Sequence, residues 1–338
     1  MLAAYLPGDR SIELRQVPRP RPGPGQVLLR VRASTICGSD LRAIYRQHLG
    51  TGAEAYQGVI GGHEPAGEVV ELGEEVHRMA VGTRAVVYHI SGCGQCDDCR
   101  TGYQISCSSA RRRAYGWQRD GGHAEYLLAD ERDLLELPES LSFLDGACVA
   151  CGFGTAYEAL CRLEVSGRDE VLVVGLGPVG LAAGLLAKAM GASRVVGVDP
   201  SADRRELAAQ VGAVDSAVGD SGLAAALPHG ADAAIDCSGV GVGQVAALQH
   251  TRRWGRVAFV GEGGQLNVDV SEAIIHKQLR IFGSWVTSTH RMAQLLQRLD
   301  RWQMHPEVTI THRFGLADSD AAYRVADQGA GGKVAIEP

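Results

Sequence analysis

The stretch VLVVGLGPVG, residues 171–180, restricts this chain more than any other. A β-type apolar run ends in three glycines spaced G-x-G-x-x-G, at Gly175, Gly177 and Gly180, and a helical pattern follows at once. Gly175 suits the tight turn, Gly177 lets backbone approach a pyrophosphate, and Gly180 permits close helix–strand packing. Pro178 and Val179 open the helix, whose first N–H groups and positive dipole end suit phosphate. Nineteen residues beyond Gly180 the next apolar run, RVVGVD, ends in Asp199. A carboxylate there accepts ribose hydroxyls and repels a 2′-phosphate, so the turn points to a dinucleotide, NAD before NADP. Arg204 pulls the other way, because a guanidinium can hold phosphate. A glycine-rich turn of some other α/β protein is the alternative.

The surrounding pattern agrees. From residue 171 strands and helices alternate: VLVVG, a helix through 178–190, RVVGVD, a helix through 201–211, a short strand near 214–218, AAIDCSG, a helix through 241–252, GRVAFVGEG and RIFGSWV. That is the signature of a doubly wound parallel sheet. Val260 and Gly261 end one of these strands at the edge where such sheets bind ligands. Before it, SIELRQV, QVLLRVRAS, GEVVELG, TRAVVYHI and residues 120–138 read as short antiparallel strands, and 140–165 has helical spacing. The tail carries a helix near 290–303 and strand-like HRFGL and KVAIEP, expected to return to the first domain. The expected division is 1–150, 151–285 and 286–338, consistent with two domains in 338 residues. The net charge of −6 argues against nucleic acid or an anionic membrane as partner. No apolar run approaches the roughly 18 residues of a membrane span. MLAAYLPGDR lacks the basic region of a signal peptide, so the expected location is the cytoplasm.

Reduced thiols in that compartment make a cysteine cluster a metal site before a disulfide set. CGQCDDCRTGYQISC spaces Cys93, Cys96, Cys99 and Cys107 as C-x2-C-x2-C-x7-C, with glycines permitting the turns. Four sulfurs fill a tetrahedral zinc and leave no open position, which describes a structural site. The reacting groups must lie elsewhere. STICGSD offers Cys37, Ser39 and Asp40; IGGHEPAG offers His63 and Glu64; ACVACGFGTAY offers Cys148 and Cys151. A catalytic zinc needs three protein ligands and an open position. Taken singly, each of these residues reads as ordinary packing, and spacing alone does not connect them.

A resemblance does. GHEPAGEVVELG, residues 62–73, fits the G-H-E-x2-G-x5-G signature of the zinc-dependent medium-chain alcohol dehydrogenases, and CGSD, the four-cysteine stretch, CGFGTAY and GLGPVG fit further motifs in the same order. The likeness covers essentially the whole chain. It implies a GroES-like β-barrel catalytic domain, a Rossmann domain, and an active site between them. Cys37, His63 and Cys151 would hold a catalytic zinc, with Glu64 in reserve and Cys148 the fallback for Cys151. The four clustered cysteines would hold a second, structural zinc. Ser39 would pass on the alcohol proton, Asp40 would fix the His63 tautomer, and Thr155 would lie near the nicotinamide. The implied reaction is hydride transfer between a primary or secondary alcohol, with polyols and cyclitols among the candidates, and NAD, giving aldehyde or ketone, in a homodimer or homotetramer. One departure is Arg42, where the family commonly has a relay histidine; His48 is the nearest replacement and is expected to matter little. Trp117 is expected either near substrate or packed, and Arg111–Arg113 as a solvated face. A zinc-free NADPH reductase of the same fold, and a non-catalytic NAD- or zinc-binding regulator, are the competing readings.

Overall fold

The computed structural model describes residues 1–329 and 331–338. The chain forms two compact units, one built on Met1–Cys151, Ser288–Gly329 and Lys333–Pro338 and the other on Gly152–Thr287.

The first unit is organised around the ten-residue strand Gln26–Thr35. Its apolar residues alternate with Arg30 and Arg32, which stay exposed while the others are buried. One edge pairs antiparallel with Glu64–Leu72. Along the other edge, Gln26–Arg30 pairs with Tyr126–Asp130, and Ser34–Thr35 pairs with the C-terminal strand Lys333–Glu337. Register shifts at Leu28/Leu29 and Val31/Ala33 interrupt the pairing with Glu64–Leu72, and along the other edge the two partners take different stretches of the long strand. Arg84–Val87 and Leu134–Glu136 extend the sheet beyond Glu64–Leu72, and Ile310–Gly315 extends it beyond the C-terminal strand. The tail segments Ser288–Gly329 and Lys333–Pro338 belong to the first unit. The pairing sets Thr35 opposite Glu64 and next to Ala335.

The second unit carries six parallel strands: β1 (Glu170–Val174), β2 (Arg194–Val198), β3 (Ser216–Val218), β4 (Ala231–Asp236), β5 (Thr251–Phe259) and β6 (Arg280–Gly283). Their order is β3-β2-β1-β4-β5-β6, so the winding reverses between β1 and β4. In such sheets ligands bind beyond the strand ends at this reversal, and the glycine turn leaves β1 there. Valines, leucine and isoleucine of β1, β2 and β4 are buried on both faces, which explains their unbroken apolar runs. The helix expected through 252 stops earlier, at Gln249, and Thr251 already belongs to β5. The Lys277 ammonium donates to the carbonyls of Leu248, Gln249 and Thr251 and ends the helix from a distant part of the chain. Among the described residues no helix is long and apolar enough to cross a membrane.

Candidate active site

Cys37, His63, Glu64 and Cys151 converge in the first unit, with one donor atom from each lying within 4.8 Å of the others. Cys37 ends the segment after Gln26–Thr35 and caps the short helix Gly38–Asp40. His63 and Glu64 stand where the paired strand begins. Cys151 lies in a π-helical turn, Val149–Phe153, between the helices Phe143–Cys148 and Gly154–Arg162. Such single wide turns re-aim side chains, often at functional sites. Here the turn separates the two cysteines of ACVACG. Cys151 joins the cluster, whereas Cys148 is buried outside it, with its thiol pushed up to about 12 by that burial.

One carboxylate positions two of the donors. Asp40 accepts from the Cys37 amide at 3.0 Å through one oxygen and from His63 Nδ1 at 2.7 Å through the other. Committing Nδ1 to Asp40 leaves His63 Nε2 as the nitrogen able to bind a cation. The Cys37 and Cys151 sulfurs stand 4.0 Å apart. Two sulfurs on one tetrahedral zinc, each about 2.3 Å from it, would be roughly 3.8 Å apart, so the pair fits that ion. A hydrogen bond from the Cys151 thiol holds the Cys37 thiol well below its ordinary range, as a thiolate ligand requires. Ser39 follows in the same short helix, half-buried.

Three features of this region were not read from the sequence. His89 packs its ring 5.0 Å from that of His63 and donates through Nδ1 to the Ala150 carbonyl at 2.9 Å, tying the π-turn to the segment that follows Arg84–Val87. Burial, aided by His63, lowers it to about 3 and keeps it neutral. His123, fully buried, bonds Tyr323 through Nε2 at 2.9 Å, and its ring occupies the space beside Gly62. Lys333, the first residue of the last strand, donates to Glu64 Oε1 at 2.7 Å, while Thr35 donates to Glu64 Oε2 at 2.5 Å. Burial works against the Lys333 charge, but the Glu64 carboxylate overcomes it and raises the ammonium's pKa.

The second cluster gathers the Cys93, Cys96, Cys99 and Cys107 sulfurs within 4.8 Å of one another. The Gln95 and Cys96 amides donate to Cys93 Sγ at 3.4 and 3.3 Å, the Gln95 bond acting first in lowering that thiol to about 6. Here four thiols close around one point, as a structural zinc needs. The lobe is pinned where the Thr289 amide donates to the Gly102 carbonyl at 3.0 Å.

In the second unit the glycine turn has the stereochemistry its sequence demands. Gly175 has φ +85°, and a Cβ on Gly180 would lie 1.8 Å from the Gly175 carbonyl oxygen. A Cβ on Gly177 would meet, among the described residues, nothing nearer than the Arg204 guanidinium at 4.0 Å. Pro178 is the first residue of the helix Pro178–Ala189, followed by Val179, and no side chain caps that end among the described residues. Asp199, 2% exposed, accepts from the Leu176 amide at 2.8 Å and from the Ser201 amide at 2.9 Å. Arg204 pairs with it at 3.6 Å. The Val260 and Gly261 amides both donate to the Asp236 carbonyl at 3.0 Å, so only their carbonyls could turn to a bound group. Thr155 is half-buried in the first turn of Gly154–Arg162.

The remaining expectations resolve individually. His48 lies beyond the short helical turn Leu41–Tyr45 and bonds the Leu6 carbonyl at 2.8 Å through Nε2. Trp117 packs against the cluster that holds Tyr56 and Tyr323. Arg112 pairs with Glu54 at 2.9 Å, and Arg111 and Arg113 bond Gln95 and neighbouring carbonyls.

The chain is similar to known proteins over nearly its whole length. The alcohol dehydrogenase GroES-like domain matches residues 23–139, and the zinc-binding dehydrogenase domain matches 178–301. The chain is 50% identical to an uncharacterized zinc-type alcohol dehydrogenase-like protein, YphC, of Escherichia coli K12, over 99% of this chain and 98% of that one. It is 33% identical to an L-threonine 3-dehydrogenase of Pyrococcus horikoshii, over 95% of this chain and 94% of that one. An alcohol dehydrogenase of Escherichia coli CFT073, solved with NADH, superposes with a TM-score of 0.88 at 25% identity, covering 100% of this chain and 99% of the other. The chain therefore belongs to the medium-chain dehydrogenase/reductase family and is a zinc-type alcohol oxidoreductase that works with a nicotinamide cofactor.

Proposed function

We propose that the chain oxidises a secondary alcohol, of the polyol or amino-alcohol kind, with NAD, and reduces the matching ketone in reverse. The observation that carries this reading is the convergence of Cys37, His63 and Cys151 on one point, with the two sulfurs at tetrahedral-edge separation. These three residues would hold the catalytic zinc, and Cys93, Cys96, Cys99 and Cys107 a structural one. Threonine bears a secondary hydroxyl at position 3, and the 33% identical relative is named for acting there. When bound, zinc supplies Lewis acidity at the substrate oxygen and the nicotinamide supplies a hydride acceptor.

The chain's own residues do the rest. Asp40 holds the Cys37 segment and the His63 ring in register with each other. Ser39, two residues from Cys37, takes the hydroxyl proton from substrate and hands it outward. Asp199 receives the adenosine ribose hydroxyls, and its buried charge disfavours a 2′-phosphate. Arg204 spends its charge on Asp199, which weakens it as a phosphate partner. The amides at the start of Pro178–Ala189 receive the pyrophosphate. The test is a panel of secondary alcohols, polyols and cyclic polyols followed by absorbance of the reduced cofactor, with NAD and NADP in parallel and zinc measured on the same sample. Turnover of secondary alcohols, an NAD preference of about tenfold or more in kcat/KM and two zincs per chain are expected. Preference for NADP, or turnover of primary alcohols alone, would contradict the reading.

A further inference from the structure

A β-branched residue is held where glycine would be at ease. Val286 has φ +59°, in the left-handed region, and is 8% exposed. Its Cβ crowds the backbone there, so valine takes that conformation only when its surroundings force it. Such strain gathers at functional sites. The forcing groups can be named, because Val286 lies in a short span between two pins. On one side β6 ends at Gly283, and the Ser284 amide donates to the Phe259 carbonyl of β5 at 3.0 Å. On the other side the chain passes into the first unit at Ser288. There Ser288 accepts from the Arg291 amide at 3.1 Å and caps the helix Thr289–Trp302, which is seated by the buried Met292, Leu295, Leu296 and Leu299. The first amide of that helix, from Thr289, donates to the Gly102 carbonyl at 3.0 Å.

The second pin therefore belongs to the four-cysteine lobe. The Gly102 amide donates to the Cys99 carbonyl at 3.1 Å, so the turn that begins at Cys99 presents the Gly102 carbonyl to the helix. Gly102 has φ +86°, and a Cβ there would lie 2.7 Å from Thr289 Oγ1, so lobe and helix start fit closely. A metal that gathers the Cys99 sulfur with its three partners fixes this turn.

We propose that the four-cysteine lobe, through the Gly102–Thr289 bond, holds Val286 in its left-handed state and so makes closure of the lobe a condition for tight cofactor binding. This rests on the reading that Cys93, Cys96, Cys99 and Cys107 close around a metal. The segment Ser284–Thr287 leaves β6 at the carboxyl edge of the parallel sheet, the edge where ligands bind. When the lobe opens, the Thr289 pin slackens, Val286 relaxes, and the segment must be ordered again whenever cofactor binds.

Hydrogen–deuterium exchange across 284–288, NADH fluorescence titration and zinc content, all on the full chain, test this. Thr289→Pro removes the donating N–H: proline suits the first helical position, and Ser288, with ψ 157°, is already extended as a residue before proline must be. It is expected to keep its zinc, to exchange about tenfold faster across the segment and to bind NADH about fivefold more weakly. Cys99→Ser is expected to lose the lobe zinc and to show the same two changes, with nothing further in Cys99→Ser/Thr289→Pro. Glycine carries no left-handed strain to release, so Thr289→Pro added to Val286→Gly should alter either quantity by no more than about twofold. Where Thr289→Pro does not fold, Gly102→Ala takes its place, because its Cβ drives Thr289 away. Unchanged exchange or unchanged NADH affinity in the variant that serves overturns the proposal, as does additivity in Cys99→Ser/Thr289→Pro. Failure of the ligand reading looks different: Cys99→Ser would then keep its full zinc content, while Thr289→Pro still decides whether this pin holds Val286.

Discussion

Adding one methyl group at Gly180 should damage fold and cofactor binding together, whereas the same change at Gly177 should separate them. An alanine Cβ at position 180 would lie 1.8 Å from the Gly175 carbonyl oxygen. A tolerable carbon–oxygen contact is about 3.3 Å, so the Gly175–Leu176 peptide must shift by roughly 1.5 Å. That same planar peptide carries the Leu176 amide, which donates to Asp199 at 2.8 Å. Such a shift breaks the bond and leaves the buried Asp199 carboxylate short of a donor. Overpacking plus the loss of a hydrogen bond to a charged group costs about 3–6 kcal/mol. Because the displaced peptide belongs to the turn that receives pyrophosphate, NADH affinity should fall about tenfold or more. At Gly177 a Cβ meets nothing among the described residues closer than 4.0 Å, so Gly177→Ala should leave stability within about 0.5 kcal/mol while blocking the close approach of the cofactor. Urea denaturation and NADH fluorescence titration read the two quantities separately. Native stability and affinity in Gly180→Ala would refute the reasoning, and so would a strongly destabilised Gly177→Ala.

Asp40→Asn keeps the shape but removes the charge that orients His63 and caps Cys37, so zinc affinity at this centre should fall about 10–100-fold in competition with a chelator, while the four-cysteine zinc is retained. Ser39→Ala should slow kcat by about 10²-fold with zinc content and NADH affinity unchanged. His48→Ala should leave kcat nearly native and cost only stability, since its ring serves the Leu6 carbonyl; the two variants are compared by steady-state kinetics. Burial lowers His123 from 6.5 to about 4, so the folded chain refuses a proton that the unfolded chain accepts. Its contribution is intact above pH 6.5 and is lost as pH falls from 6.5 toward 4, by about 3 kcal/mol. Denaturation curves across that range should be flatter for His123→Phe than for the wild-type chain, and equal slopes would remove His123 as a source of acid sensitivity.

The second unit was legible because its chemistry is local. Strands β1, β2 and β4 are buried on both faces and so appear as unbroken apolar runs, and the glycine turn with Asp199 occupies only 25 residues. Strand order was not legible in this way, since nothing local records that the winding reverses between β1 and β4. The end of Gly241–Gln249 was missed for a similar reason: its cap comes from Lys277, well down the chain. The metal donors were visible as motifs, but Cys37 and Cys151 are 114 positions apart. Only a resemblance linked them before the fold did. Lys333 was missed altogether. A lysine beginning a strand reads as a solvated charge, and its burial depends on a carboxylate 269 positions away. His89 and His123 went unread because each stands alone in its segment, with partners supplied by other elements.

Anomalous X-ray scattering measured on either side of the zinc absorption edge tests the central claim most directly. It should show an ion bounded by Cys37 Sγ and Cys151 Sγ at about 2.3 Å and by His63 Nε2 at about 2.0–2.1 Å, with Glu64 held by Lys333. An ion bound instead through Cys148, or no zinc signal among Cys37, His63 and Cys151, would contradict it.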